Sequence, residues 1–216
     1  DEHRFENLTI DGGLRLRRTH IGALGRFVTD GRPLRDLPSI KDDWEPVLYQ
    51  ATLGGSYYIS NSLSLHLNMA NGQIKPRKGT LNQDLKFPDN ENRFKTDLGL
   101  QSQINRFGDI NLVGFYTYQT NAIALSGETD TTATGNIMSL YLNRDQKQYG
   151  TELEIKTRRL VDLVQLFANA TYMYSSKQEY EQWQENNEIP NFIANAGAYL
   201  FYQNFDVNIF GKYLSS

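Results

Sequence analysis

Leu163-Val164-Gln165-Leu166-Phe167-Ala168-Asn169-Ala170-Thr171-Tyr172-Met173-Tyr174 decides how the rest of the chain is read. Leu166, Ala168, Ala170, Tyr172 and Tyr174 recur with a period of two, and Gln165, Asn169 and Thr171 fall between them. A period of two places these sets on opposite faces of a β-strand, one apolar and one polar, ending in aromatics. The tight break Arg158-Arg159-Leu160-Val161-Asp162 precedes it, and the long polar stretch Ser175 to Glu188 follows.

Working outward, the same alternation predicts nine strands. They are Phe5 to Leu16, Val47 to Ser60, Leu63 to Met69, Phe94 to Ile104, Ile110 to Gln119, Tyr149 to Thr157, Leu163 to Tyr174, Phe192 to Tyr202 and Phe205 to Tyr213. Long connections, Arg17 to Glu45, Ala70 to Arg93, Thr120 to Gln148 and Ser175 to Ile189, alternate with tight ones at Ser60-Asn61-Ser62, Asn105 to Asp109, Arg158 to Asp162 and Gln203-Asn204. Ile137 to Leu142 offers an extension of a hairpin within the third long loop. Long loops at one end and short turns at the other describe an all-β antiparallel transmembrane β-barrel wall. A strand of about 12 residues, tilted near 40°, spans roughly 30 Å. Tyr49, Tyr116, Tyr118, Tyr172, Tyr174, Phe192 and Tyr213 mark the long-loop interface, and Tyr57, Tyr202 and Phe205 the other. A tyrosine suits that boundary because its ring is apolar and its hydroxyl seeks water. A soluble β-sandwich also alternates, but its strands run shorter and its loops do not segregate by length.

Composition agrees. The 216 residues carry a net charge of −3 and no cysteine, which removes a nucleic-acid signature, a disulfide framework, thiolate metal ligands and a Cys nucleophile. No apolar run approaches the length of a membrane-spanning helix. A spanning strand needs apolar residues at alternate positions only, so a barrel stays open.

Several motifs resemble the C-terminal barrel of TonB-dependent outer-membrane receptors. Pro76 with Leu81-Asn82-Gln83-Asp84-Leu85-Lys86-Phe87-Pro88 is similar to that family's Pro and Asn-Pro-x-Leu-x-Pro-Glu loop. Thr96-Asp97-Leu98-Gly99-Leu100 resembles its Glu-Leu-Gly strand, and Phe115-Tyr116 through Asn121-Ala122-Ile123 a strand ending in Asn-x-Ile. Tyr149-Gly150-Thr151-Glu152-Leu153-Glu154 is similar to its Gly-Val-Glu-Leu-Glu strand, and Ile189-Pro190-Asn191 to the Ile-Pro that leads into the next. Asp89 and Asp97 stand where the family has Glu, and neither plug nor Ton box is in the sequence.

The resemblance implies that residues 1–216 are a partial barrel domain of a barrel of about 22 strands, lacking its start and its last few strands. It implies a bacterial outer-membrane active-transport receptor of siderophore type, not an enzyme. Its partners would be outer-membrane lipids and lipopolysaccharide, the TonB complex acting through a plug domain, and a small-molecule ligand such as a ferric siderophore. No nucleic acid and no cofactor is implied. A passive porin-like channel and a soluble β-sheet binding protein are the alternatives.

Candidate chemistry is sparse. His3, His20 and His66 are scattered, without Asp or Glu at metal spacing, so no metal site is expected. Glu152 and Glu154 share a face as paired carboxylates would, but their alternation with Leu153 and Ile155 puts them in the lumen wall. With Asp97 and Lys156 they form a charge ladder that faces the lumen and a plug. Nothing resembles a serine-hydrolase elbow, and no catalytic residue is expected. Asn7-Leu8-Thr9 and Asn169-Ala170-Thr171 match the glycosylation pattern but lie in strands. Arg15, Arg17 and Arg18, at the long-loop end of the first strand, are candidates for lipopolysaccharide phosphates or an anionic ligand, with a solvated basic rim as the simpler reading. Trp44, Tyr180 and Trp183 in long loops are candidates for capturing a flat ligand or for anchoring loops at the interface.

Overall fold

The computed structural model describes residues 2–18, 20–21, 28–29, 32–33, 43–44, 47–77, 80–104, 107–131, 135, 137–179 and 182–215. In chain order the strands are β1 Glu2–Phe5, β2 Leu8–Arg17, the short β3 His20–Ile21, β4 Val28–Thr29, β5 Arg32–Pro33 and β6 Asp43–Trp44, then β7 Leu48–Ser60, β8 Leu63–Ile74, β9 Glu91–Ile104, β10 Gly108–Thr131, β11 Ile137–Thr157, β12 Val164–Glu179, β13 Gln182–Glu185, β14 Phe192–Tyr202 and β15 Phe205–Leu214. One antiparallel sheet holds eleven of them in the order β1-β2-β7-β8-β9-β10-β11-β12-β14-β15, with β13 folded back onto β12. The long strands β2, β7 to β12, β14 and β15 neighbour one another in chain order, as the meander predicts, while β3 pairs with β6 and β4 with β5 in two small separate sheets.

Three departures from the nine expected strands stand out. A short β1 pairs with β2 through a turn at Glu6-Asn7. The third long loop is largely strand: β10 and β11 stay paired up to Thr131↔Ile137, with register shifts between Gln119 and Ala122 and between Leu125 and Thr129. The fourth loop likewise begins as strand and doubles back as β13.

Register makes each face continuous. Tyr57, Leu65, Leu100, Leu112, Leu153, Ala170, Ala194 and Tyr213 are successive partners across the sheet. One residue further along each strand, Ser64, Gln101, Asn111, Glu154, Asn169, Asn195 and Lys212 form a row on the opposite face. There the Asn195 amide donates to the Asn169 side-chain oxygen at 2.7 Å. The apolar face has no cover: Leu98 is 57% exposed, and Leu14, Leu53 and Ile209 are likewise open. Among the described residues only Leu48, Leu81, Ala122 and Leu140 are buried apolar side chains. A water-soluble domain of this size would hide most of its apolar surface in a core. Here that surface is spread over one face of a sheet.

The aromatics fix the tilt. Near the long-loop end, Tyr49 lies on β7, Phe94 on β9, Tyr116 on β10, Tyr149 on β11, Tyr174 on β12, Phe192 on β14 and Tyr213 on β15. Neighbouring rings touch, with centroids 6.5 Å apart for Phe94 and Tyr116, 5.3 Å for Tyr149 and Tyr174, and 6.1 Å for Phe192 and Tyr213. The register row that reaches Tyr213 on β15 begins at Tyr57 on β7, about eight residues below Tyr49. At ~3.3 Å per residue along a strand and ~4.8 Å between strands, the aromatic line drops about 26 Å over about 34 Å of sheet. A level girdle then needs strands tilted by about 38°, inside the 35–45° of membrane barrels. Tyr57, Tyr202 and Phe205 lie near the short turns, at the opposite end of their strands.

Turns carry local strain. In Leu160-Val161-Asp162-Leu163 both central residues have positive φ, 50° and 57°. Leu160 pairs with Val164, so three residues make the turn, and Asn and Gly enter the left-handed region of its first two at little cost. Val161 is 88% exposed, so its branched side chain gains no packing in return. The double substitution Val161→Asn, Asp162→Gly is expected to raise unfolding free energy by about 1–2 kcal/mol. Urea titration in lipid vesicles measures it, and an unchanged midpoint would count against the turn geometry.

Candidate functional site

The polar face has its own vertical order. Within a residue of the aromatic line or above it stand Arg15, Arg17, Arg93, Lys95, Arg144 and Lys177, with Lys75 just past the end of β8. Below it the carboxylates Asp11, Asp97, Asp109, Glu152 and Glu154 dominate, with Lys156 near the short turns. The upper end of this face is a basic mouth over an acidic wall.

Most mouth charges are already paired. Glu91, nearly buried, accepts from Arg93 Nη2 at 2.6 Å, Arg93 Nε at 2.9 Å and the Gln119 amide at 3.1 Å. Lys177 Nζ bridges Glu179 at 3.1 Å and Glu188 at 3.2 Å, and Arg144 Nη1 reaches Glu179 at 3.2 Å. The hydrogen bond to Glu179 is the chief cause holding the Lys177 ammonium above its ordinary pKa, against desolvation and the nearby Arg144. Arg15 and Arg17 differ: among the described residues neither meets a carboxylate. They line a cavity of about 210 Å³ with Leu48, Gln50, Gln73, Ile74 and Lys75. Two unpaired guanidinium groups beside amides form a donor-rich recess suited to an anion.

The β8–β9 loop packs against the β10–β11 hairpin. Leu81, 2% exposed, packs on Leu85 and Met138, and its carbonyl accepts from Tyr141 N–H at 2.8 Å. The Asn82 side-chain oxygen accepts from the N–H groups of Asp84 and Lys86, at 3.0 and 2.9 Å, and curls Asn82–Lys86 into a turn. Asn143 accepts from Asp89 N–H at 2.8 Å and donates to the carbonyls of Asp89 and Asn121 at 3.1 and 2.8 Å. These contacts staple the loop to the tall β10–β11 hairpin. Asn82 belongs to the loop motif quoted from the sequence, though not as a capping residue; Asn143 had no signal there, because an asparagine that caps a loop looks like any other polar loop residue.

The remaining candidates fall as follows. Asp97, Glu152, Glu154 and Lys156 take polar-face register positions, opposite Asn68, Val113, Asn111 and Asp109. Lys95 approaches Asp97 at 3.6 Å. Arg18 lies just past β2 and is exposed. Trp183 pairs with Gln178 and belongs to the apolar-face side, its ring 6.4 Å from Tyr118 and 4.1 Å beneath the Lys147 ammonium. Of Trp44 the backbone alone is described, paired with His20, and Tyr180 lies outside the described residues. His66 is held between two hydroxyls, with Ser56 Oγ 2.9 Å from Nδ1 and Ser64 Oγ 2.9 Å from Nε2. Among the described residues no three His, Asp or Glu side chains gather as metal ligands would.

No family model and no curated protein matches the chain. Solved structures do. The copper transporter OprC superposes with a TM-score of 0.70 at 14% identity, covering 96% of this chain and 33% of that one. The FrpB iron transporter from Neisseria meningitidis (F3-3 variant) gives 0.64 at 13% identity, over 98% and 31%. The ferric-catecholate import receptor Fiu from K12 E. coli, closed form, gives 0.63 at 13%, over 97% and 32%. The chain therefore spans about a third of the structures it matches. These are TonB-dependent receptors, transporters and receptors rather than enzymes. The fold is that of a segment of such a receptor's barrel wall, an open sheet with no helix among the described residues.

Proposed function

We propose that this chain is a partial barrel domain, residues 1–216, of an outer-membrane receptor that takes up a scarce solute with energy delivered by TonB through a plug. One observation carries the reading: a continuous sheet with an uncovered apolar face, bounded by aromatics along a line that levels at a barrel's strand tilt. The free edges of β1 and β15 would pair with further strands, since an open edge is untenable in hydrocarbon. The likeness to iron and copper transporters supports transport at this coarse level.

The basic mouth favours an anionic solute, and a ferric siderophore fits that chemistry. Asp97, Glu152, Glu154 and Lys156 would face the plug. Arg15 and Arg17 would draw the solute in and bind it briefly, since a cluster of one sign raises the local concentration of the other. Substituting both with Gln is expected to weaken binding of an anionic ligand about tenfold, an effect that shrinks in high salt. Isothermal titration of the protein carrying this chain measures it.

The decisive experiment is uptake by cells with and without the gene, before and after the proton-motive force is collapsed. An energised receptor loses uptake on collapse. A passive channel continues to equilibrate, and that outcome would replace the proposal with the porin reading.

A further inference from the structure

We propose that the outward notch above Gly114, crowned by Lys147, seats one anionic, phosphate-bearing lipid of the outer leaflet, its acyl chain in the notch and its phosphate on the ammonium. The inference rests on the membrane-barrel reading and adds a specific partner to it. Gly114 lies in an outward register row with Leu98 and Thr151 as its partners. It leaves a gap between Leu112 and Tyr116, and a Cβ placed there would meet only the Leu98 carbonyl, at 4.0 Å. The gap opens into a cavity of about 450 Å³ walled by Leu98, Tyr116, Tyr149 and Tyr172. Hydrocarbon offers no water to fill such a furrow, and an empty one forfeits dispersion contacts along its whole lining. An acyl chain restores them.

The cation is a second, independent feature. Lys147, Tyr149 and Thr151 alternate on one face of β11, so Lys147 stands about 7 Å above Tyr149 along the strand. Its ammonium lies 4.1 Å over the Trp183 ring, beside the outermost aromatics, at the depth of lipid headgroups. The carboxylates described on that face are turned to other donors: Asp145 accepts from the Tyr118 hydroxyl at 2.9 Å and Asn121 N–H at 3.0 Å, and Glu185, in the register row of Lys147 two strands away, accepts from the Asn191 amide at 2.9 Å. Among the described residues Lys147 has no carboxylate partner, and a lipid phosphate supplies the missing anion. A second outward furrow lies over Ala168, Ala170, Ala194, Ala196 and Gly211; the lysine that borders it, Lys212, takes a polar-face register position opposite Asn195, so among the described residues bordering it no cation is on the outward face, and it serves as the internal control.

Native mass spectrometry of the protein carrying this chain, released from detergent with dipalmitoyl phosphatidylglycerol or dipalmitoyl phosphatidylcholine, tests the site. The most firmly retained adduct is expected to favour phosphatidylglycerol at least fivefold. Lys147→Gln is expected to erase that preference. Gly114→Leu, whose Cβ makes only an ordinary 4.0 Å contact with the Leu98 carbonyl, fills the notch and is expected to lower retention of both lipids about fivefold, while Gly211→Leu leaves it unchanged. Equal retention of the two lipids, or Gly114→Leu behaving like wild type, overturns the site and leaves the barrel standing. A protein that remains monomeric and soluble without detergent overturns the membrane reading, and the lipid site with it.

Discussion

Leu112→Arg is expected to destabilise the folded protein in lipid vesicles by about 2–4 kcal/mol. Leu112 faces outward between Leu100 and Leu153, four residues below the girdle residue Tyr116. With strands tilted near 38°, each residue descends about 2.6 Å, so Leu112 sits close to the middle of a ~25 Å apolar band. A guanidinium there must stay desolvated or drag water into the hydrocarbon. The neighbouring Asn111→Arg provides the contrast. Asn111 is on the polar face with Gln101 and Glu154 as partners, so an arginine there meets water and a carboxylate and should cost less than about 1 kcal/mol. Reversible denaturant unfolding of the protein carrying this chain measures both. Equal losses on the two faces would mean that the sheet does not separate lipid from lumen.

Gly108→Ala should cost about 3 kcal/mol, for a reason unrelated to the membrane. Gly108 opens β10 after the turn and has φ +147°, a region closed to residues with a Cβ. A Cβ at this position would also collide with the Lys156 carbonyl and with Thr157 Cα. Both are backbone atoms of the paired strand and have no rotamer through which to yield. Strain of about 1–3 kcal/mol adds to crowding of similar size. Gly127→Ala separates the two contributions: its φ is +81°, but nothing lies within 4 Å of the added atom. It should therefore lose about 1 kcal/mol. If the two alanines cost the same, conformational preference alone accounts for Gly108 and the strand contact is immaterial.

Most of the membrane wall was legible from residues alone. The run from Leu166 to Tyr174 states its two faces because the proposed barrel would set one against hydrocarbon and the other against water, a contrast that requires alternation at every step. Within the third long loop, Ile137 to Leu142 read as a hairpin extension and do pair as one, whereas residues 120–131 escaped the same reading. No two-tone pattern marks Asn121 to Thr131 as strand, although the β10–β11 hairpin continues through them to Thr131↔Ile137. The nine expected strands became ten in sequence along the sheet, with β13 on its flank, because Glu2–Phe5 and Gln182–Glu185 are too short for a period to register. Trp183 shows the limit for side chains: being in a loop leaves its direction open, and only its pairing with Gln178 puts it beside Tyr118 and Lys147.

By itself the sequence determined the class of the fold, the order of long and short connections, and which residues of each strand share a face. Those are local properties, settled by a repeat of two and by turn chemistry. Register, tilt and assembly belonged to the tertiary structure. No stretch of chain records that Tyr57 and Tyr213 lie on one row, that Arg15 and Arg17 share a recess with Lys75, or that Gly114 leaves a gap beneath Lys147. Each of these depends on how far one strand slides against the next, and that slide is the joint result of hydrogen bonds and contacts between residues distant in sequence.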